Sequence, residues 1–329
     1  MFNIQRPRRN RKNAVIRAMI SENILLPRHL IAPLFLIDGN HKKEEIHSMP
    51  GVSRLSIDLM IAEAKELFSA GVKCVALFPA IVDSLKTPNA KEALNPDGLY
   101  IKAIKELKNA LPEMQIMTDI ALDPYSSDGH DGLVDPKSGE ILNDATLEVL
   151  GKMALLQAKS GADILGPSDM MDGRVGFIRD LLDEESYTQI SIMSYTAKYA
   201  SSFYGPFRDA LQSAPKKGDK KTYQMDFMNV REALREAYLD EEEGADFLMV
   251  KPGISYLDVI KTLRDQTTLP IAAYNVSGEY AMVKAAAQMG YIDGDKVMLE
   301  MLSSFRRAGS DVILTYFAKD AAKLLNELY

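Results

Sequence analysis

The chain has 329 residues, 47% of them hydrophobic, and carries 39 basic against 46 acidic side chains for a formal net charge of −7. That balance argues against a nucleic-acid or anionic-membrane surface over most of the chain and favours a small polar metabolite as partner. No run approaches the roughly 18 apolar residues of a membrane span, no charged-then-apolar leader opens the sequence, and a single cysteine leaves no disulfide or thiolate zinc site, so a cytoplasmic protein is expected.

The first segment is basic: "RPRRNRK", Arg6 to Lys12, with no acidic residue before Glu22. It reads as part of an N-terminal arm over residues 1–29 that docks on a partner subunit. From Leu30 apolar runs alternate with helical patterns. "LIAPLFLI" from Leu30 is the first strand, Ile57 to Ala70 the first helix, and "CVALF", with Cys74 as a small buried hydrophobe, the second strand. Then come a helix from Tyr100 to Ala110, a strand in "MQIMTDIAL" from Met114, and a helix from Ala145 to Lys159. A strand in "ADILGPS" precedes a helix from Val175 to Asp183, and "QISIMSYTA" from Gln189 precedes one from Val230 to Glu243. "ADFLMVKP" leads to a helix from Leu257 to Arg264, "PIAAYNVSG" from Pro270 to helices Tyr280–Met289 and Lys296–Arg307, and "SDVILTYFA" is the last strand. At Gly71, Gly161, Gly244 and Gly309 a helical pattern stops, and a strand begins one or two residues later.

Eight strands alternating with helices close most economically into a (β/α)8 TIM barrel over residues 30–329. An open doubly wound sheet is the competitor, yet no G-x-G-x-x-G follows the first strand. Barrel active sites form at the carboxyl ends of strands. Those ends carry Asp119, the "GPSDMMDGR" segment, Tyr195 to Lys198, Lys251, Ser277 and Tyr316.

Lys251 closes the apolar run "FLMV", and Lys198 closes the neighbouring strand, whose axis lies only about 5 Å away. A lysine is a nucleophile near neutral pH only if its proton is lost far below the ordinary ~10.4, which takes roughly 4 kcal/mol of differential stabilisation. A neighbouring cation and an apolar pocket supply that, and such an amine forms Schiff bases with carbonyls. Salt bridges to aspartates, or phosphate binding as in class I aldolases and other barrels, explain the same two lysines.

Five segments in order, "SDMMDGR" (Ser168 to Arg174), "FYGPFRDA" (Phe203 to Ala210), "MVKPG" (Met249 to Gly253), "VSGEYAM" (Val276 to Met282) and "FRRAG" (Phe305 to Gly309), closely resemble the 5-aminolaevulinate dehydratase family. The resemblance runs from the basic arm to the final helix. It implies a barrel enzyme that condenses two molecules of 5-aminolaevulinate to porphobilinogen, an early step of tetrapyrrole biosynthesis. By resemblance, Lys251 forms a Schiff base with the first-bound substrate, and Lys198, beside Asp119 and Ser168, does the same or activates the second. Ser277 and Tyr316 match contacts to the first carboxylate, Arg208 and Lys220, with Gln224 nearby, match contacts to the second, and Tyr204 and Tyr274 complete the substrate contacts. The stretch "QSAPKKGDKKT" between Arg208 and Gln224 reads as a loop able to close as a lid.

Where part of that family carries three zinc-binding cysteines, this chain has Ala121, Asp123 and Asp131. With Asp119 and Asp128 the loop offers hard oxygen donors and no thiolate, so Mg²⁺ is favoured over zinc, as in the aspartate-rich, plant-like branch. The same residue types also suit any tight loop, and His130 is expected as a loop hydrogen-bonder. The resemblance further implies an allosteric Mg²⁺ on Glu236, no organic cofactor, and a homo-oligomer, octamer or hexamer, in which the arm embraces a neighbouring barrel. Competing readings are another Schiff-base barrel, such as a class I aldolase, and a noncatalytic binder of tetrapyrrole precursors.

Overall fold

Strands β1 (Leu30–Leu36), β2 (Cys74–Pro79), β3 (Gln115–Ile120), β4 (Ile164–Pro167), β5 (Ser191–Lys198), β6 (Phe247–Lys251), β7 (Ile271–Asn275) and β8 (Val312–Thr315) pair in parallel, each with the next in the chain. β8 returns to β1 through Leu30↔Ile313 and Ile31↔Leu314, which closes the barrel. The computed structural model describes residues 5–328; Met1 to Ile4 of the expected arm and Tyr329 at the end of the expected barrel domain lie outside the described residues.

The strands are apolar on both faces because one face fills the barrel and the other receives the helices. β1 accordingly is buried along its whole length. The helices surround it at Ile57–Ser69, Leu99–Ala110, Asn143–Ser160, Arg174–Glu184, Arg231–Glu242, Leu257–Arg264, Ser277–Gln288, Gly294–Ala308 and Ala318–Leu328. Their ends lie within three residues of the sequence reading wherever that reading placed a helix. Gly161 and Gly309 cap two of them at φ 107° and 118°, backbone that a side chain would strain.

Three features were not foreseen. An antiparallel hairpin, Lys43–Glu45 with Ser53–Leu55, adds to the upper end of β1 through Phe35↔Arg54. A short helix, Gly205–Leu211, stands over the barrel mouth. Cys74 is half-buried rather than buried, at the edge of the core, where burial pushes its thiol up to about 12 and leaves it inert.

In the arm, a 3-10 turn at Pro7–Arg11 and a helix at Ala14–Met19 bury no residue, and Val15, Met19 and Ile20 are exposed. Among the described residues no helix is long and apolar enough to cross a membrane.

Candidate active site

Parallel pairing sets Lys198 directly beside Lys251 at the ends of β5 and β6, with an irregularity in β5 between Ser194 and Ala197 re-aiming its side chains. The two lysines have different surroundings. The Lys251 ammonium nitrogen lies 4.7 Å from the centre of the Tyr274 ring, 5.0 Å from Tyr195, 5.0 Å from Phe207 and 5.3 Å from Tyr204. Among the described residues it makes no ion pair. Burial, then the nearby Lys198 charge, pushes Lys251 down to about 7, against the opposing pull of Asp119, Asp123 and Asp131. Ring faces attract a cation, but that attraction is too small to offset the desolvation of a buried ammonium.

Lys198, by contrast, is held: Nζ donates to the Ser168 carbonyl and stands 3.5 Å from Asp131 Oδ2. Asp119 is hydrogen-bonded by the Ser168 side chain, and burial, followed by the Asp123 charge, pushes it up to about 7. Burial raises Asp123 as well, and it shares a hydrogen bond with Asp131. Burial also acts to raise Asp131, but the Lys198 and Lys220 ammoniums outweigh it and hold that carboxyl below the usual range. The result is a graded set: one amine near neutrality, one carboxyl near neutrality, and a fixed carboxylate between two cations.

Lys251, Lys198, Asp119, Ser168, Asp123, Asp131, Arg208, Lys220, Gln224 and Tyr204 all line one cavity, as expected from the sequence. The cavity measures only about 30 Å³, space for roughly one water. Phe207 and Arg208 of the short helix roof part of it, and a space this small must widen to admit a substrate. Tyr204 also donates its hydroxyl to the Lys251 carbonyl at 3.0 Å.

Three expected substrate contacts are engaged elsewhere. Ser277 Oγ accepts from the Phe207 N–H at 3.0 Å and donates to the Phe203 carbonyl at 3.3 Å, so it holds the roof. The Tyr316 and Tyr274 hydroxyls bond each other at 2.8 Å. Of the three, only Ser277 is tied to the Phe203–Phe207 segment.

The aspartates expected to hold Mg²⁺ already face cations. Lys220 Nζ lies 3.1 Å from Asp131 Oδ1 and 3.4 Å from Asp123 Oδ2. A divalent ion there would stand against two ammoniums, Lys198 and Lys220. The donor set does not fit an active-site Mg²⁺. Glu236 is different: half-buried, it lines a cavity of about 580 Å³ together with Glu140, Asp172 and Glu232. Burial raises its carboxyl, and the Asp240, Asp172 and Glu232 charges add to that against the Arg174 guanidinium. The carboxylates of that lining attract cations.

His130 is a hydrogen-bonder, as expected, and it ties the loop between Arg208 and Gln224 to the barrel. Its Nδ1 lies 3.1 Å from the Tyr223 hydroxyl and its Nε2 2.9 Å from the Lys217 carbonyl. Lys216 N–H donates to Asp128 at 3.0 Å, and Arg54 of the hairpin donates to the Ala210 and Asp209 carbonyls at 2.6 and 2.8 Å. The sequence reading missed Phe207 and Glu279 as site residues, although both lie within the quoted motifs.

Comparison with known proteins agrees with this geometry. The family model for delta-aminolevulinic acid dehydratase matches residues 4–324. A delta-aminolevulinic acid dehydratase of Bradyrhizobium diazoefficiens is 53% identical over 321 residues, covering 97% of this chain and 90% of the relative. The chloroplastic enzyme of Glycine max is 54% identical over 322 residues, covering 98% and 78% respectively. The crystal structure of the Toxoplasma gondii enzyme, porphobilinogen synthase in complex with its reaction product porphobilinogen, superposes with a TM-score of 0.97 at 55% identity, covering 98% of this chain and 92% of that one. A barrel whose strand ends carry two adjacent buried lysines, matched along nearly its whole length in sequence and shape, belongs to the delta-aminolevulinic acid dehydratase family, the porphobilinogen synthases.

Proposed function

We infer that this chain, a lyase of that family, condenses two molecules of 5-aminolaevulinate to porphobilinogen, with Lys251 capturing the first-bound substrate. The observation that carries the reading is the unpaired, aromatic-walled amine of Lys251 beside Lys198. The free amine adds to the substrate ketone to give a carbinolamine. Loss of its hydroxyl as water leaves the imine, and Asp119, pushed up to about 7, is the group suited to give the proton that hydroxyl needs. Lys198 then binds or activates the second substrate.

Arg208, Lys220 and Gln224 receive the second carboxylate, and the Arg208 side chain makes no hydrogen bond or ion pair among the described residues, which leaves its planar fork free. Ser277 and Tyr316 receive the first carboxylate, with Tyr204 and Tyr274 flanking the chain. Closure of residues 205–224 then keeps water from the hydrolysable imine. Mixing the protein with 5-aminolaevulinate should yield porphobilinogen; folded protein giving none contradicts the reading.

Acid should inhibit through Lys251. Its proton returns as pH falls through about 7, so kcat/KM should drop about tenfold per pH unit below that point. A pH–rate profile flat between pH 6 and 8, on the order of that window, contradicts the assignment.

Mg²⁺ belongs at Glu236, where it would relieve the crowding of acidic groups and not touch substrate. Activation by added Mg²⁺ should be lost in Glu236→Gln while activity without the ion changes less than about twofold. Unaltered Mg²⁺ activation in that variant removes the site. The exposed Val15, Met19 and Ile20 support a subunit-contact arm of a homo-oligomer, an octamer by resemblance, that ends before Leu25 and Pro27, which lie inside the expected 1–29 boundary but are buried on the barrel.

A further inference from the structure

Glu279 is completely buried, at the third position of the helix Ser277–Gln288, and its carboxylate accepts from four N–H groups. Oε2 takes the Val276 N–H at 3.0 Å and the Asn275 Nδ2 at 2.9 Å, bonds that a helix-capping glutamate explains. Oε1 does something else. It takes the N–H groups of Gly253 at 3.2 Å and Ile254 at 2.7 Å, which belong to the turn directly after Lys251. One carboxylate thereby ties the end of β6 to the end of β7.

The surroundings leave that turn little freedom. A Cβ at Gly253 would meet the Phe305 ring at 2.5 Å and the Tyr274 carbonyl at 3.0 Å. Thr315 Oγ1 donates to Asn275 Oδ1 at 2.8 Å, which fixes the amide so that its NH₂ faces Glu279. On the other side, the Lys251 carbonyl accepts from the Tyr199 N–H at 2.9 Å.

We propose that Glu279 is a positioning residue for the condensation: its carboxylate locks the turn after Lys251 onto β7 and so fixes the amine against the Tyr274 ring and beside Lys198. Glu279 touches no substrate, and the inference rests on the reading of Lys251 as the Schiff-base amine. Facing that amine are Lys198 from β5, Asp119 from β3, Asp123 and Asp131 from the following loop, and the Tyr195, Tyr204 and Tyr274 phenols. Facing Glu279 are Tyr204 and Tyr256. A loosened turn lets the amine move away from Lys198 and towards water, and both changes raise its affinity for a proton.

Glu279→Gln keeps the size but turns an NH₂ group towards donors that need an acceptor, and the near-isosteric Thr315→Val loosens Asn275 more gently. Active sites are counted by borohydride reduction with 5-aminolaevulinate, and kcat, KM and the pH profile are expressed per labelled Lys251. In Glu279→Gln, kcat per site should fall roughly tenfold or more with KM little changed, and the acid limb of kcat/KM should move up by about one pH unit. Thr315→Val should move both in the same direction by less. Fewer labelled sites with unchanged kcat per site and an unmoved acid limb would mean a purely structural role and overturn the proposal. If Glu279→Gln does not fold, the same two readings on Thr315→Val decide it. Absence of label on Lys251 in the unaltered protein would instead overturn the Schiff-base reading itself.

Discussion

Replacing Lys251 by alanine should lower turnover by about 10⁴-fold or more, since the other lysines bordering the cavity, Lys198 and Lys220, are each paired with Asp131. Stability should move the other way or not at all. A lysine held near 7 in the folded state and near its model value of 10.5 in the unfolded one binds fewer protons when folded. At neutral pH that arrangement costs roughly 4 kcal/mol, which alanine relieves, against a cavity penalty of a few kcal/mol. Steady-state assay and thermal denaturation together check this. Turnover within tenfold of the unaltered protein would place the chemistry elsewhere.

Asp131→Asn should destabilise the fold by about 3–5 kcal/mol, because it removes the carboxylate that compensates two buried ammoniums, Lys198 and Lys220. The sign with pH follows from the direction of its shift. Held below its ordinary 3.8, Asp131 contributes stability above that pH and loses it as pH falls through the lowered folded value. Denaturant titration near pH 7 and near pH 3 should therefore show a large difference between the two proteins at the first and a smaller one at the second. A change below about 1 kcal/mol at neutral pH would mean the lysines are neutralised by something other than this carboxylate.

The barrel was legible in the sequence because its strands are apolar on both faces and its αβ junctions carry glycines such as Gly161 and Gly309. The hairpin at Lys43–Glu45 was not, since three-residue strands of exposed charged residues have no readable period. The lysine pair was readable as two strand ends, and pairing supplied the register. What the aspartates face was beyond reach: Lys220 meets Asp123 and Asp131 from 97 and 89 residues away, on the loop between Arg208 and Gln224, so donor-rich spacing looked like a metal loop. Glu279 was hidden for another reason. Helix capping already accounts for a glutamate at that position, and the donors that reveal its second task come from 25 and 26 residues upstream.

Borohydride reduction of the protein with 5-aminolaevulinate, followed by peptide mass mapping, tests the central claim most directly. The account predicts a reduced adduct on the peptide containing Lys251. Folded protein bearing no adduct there, or an adduct on Lys198 alone, would contradict it.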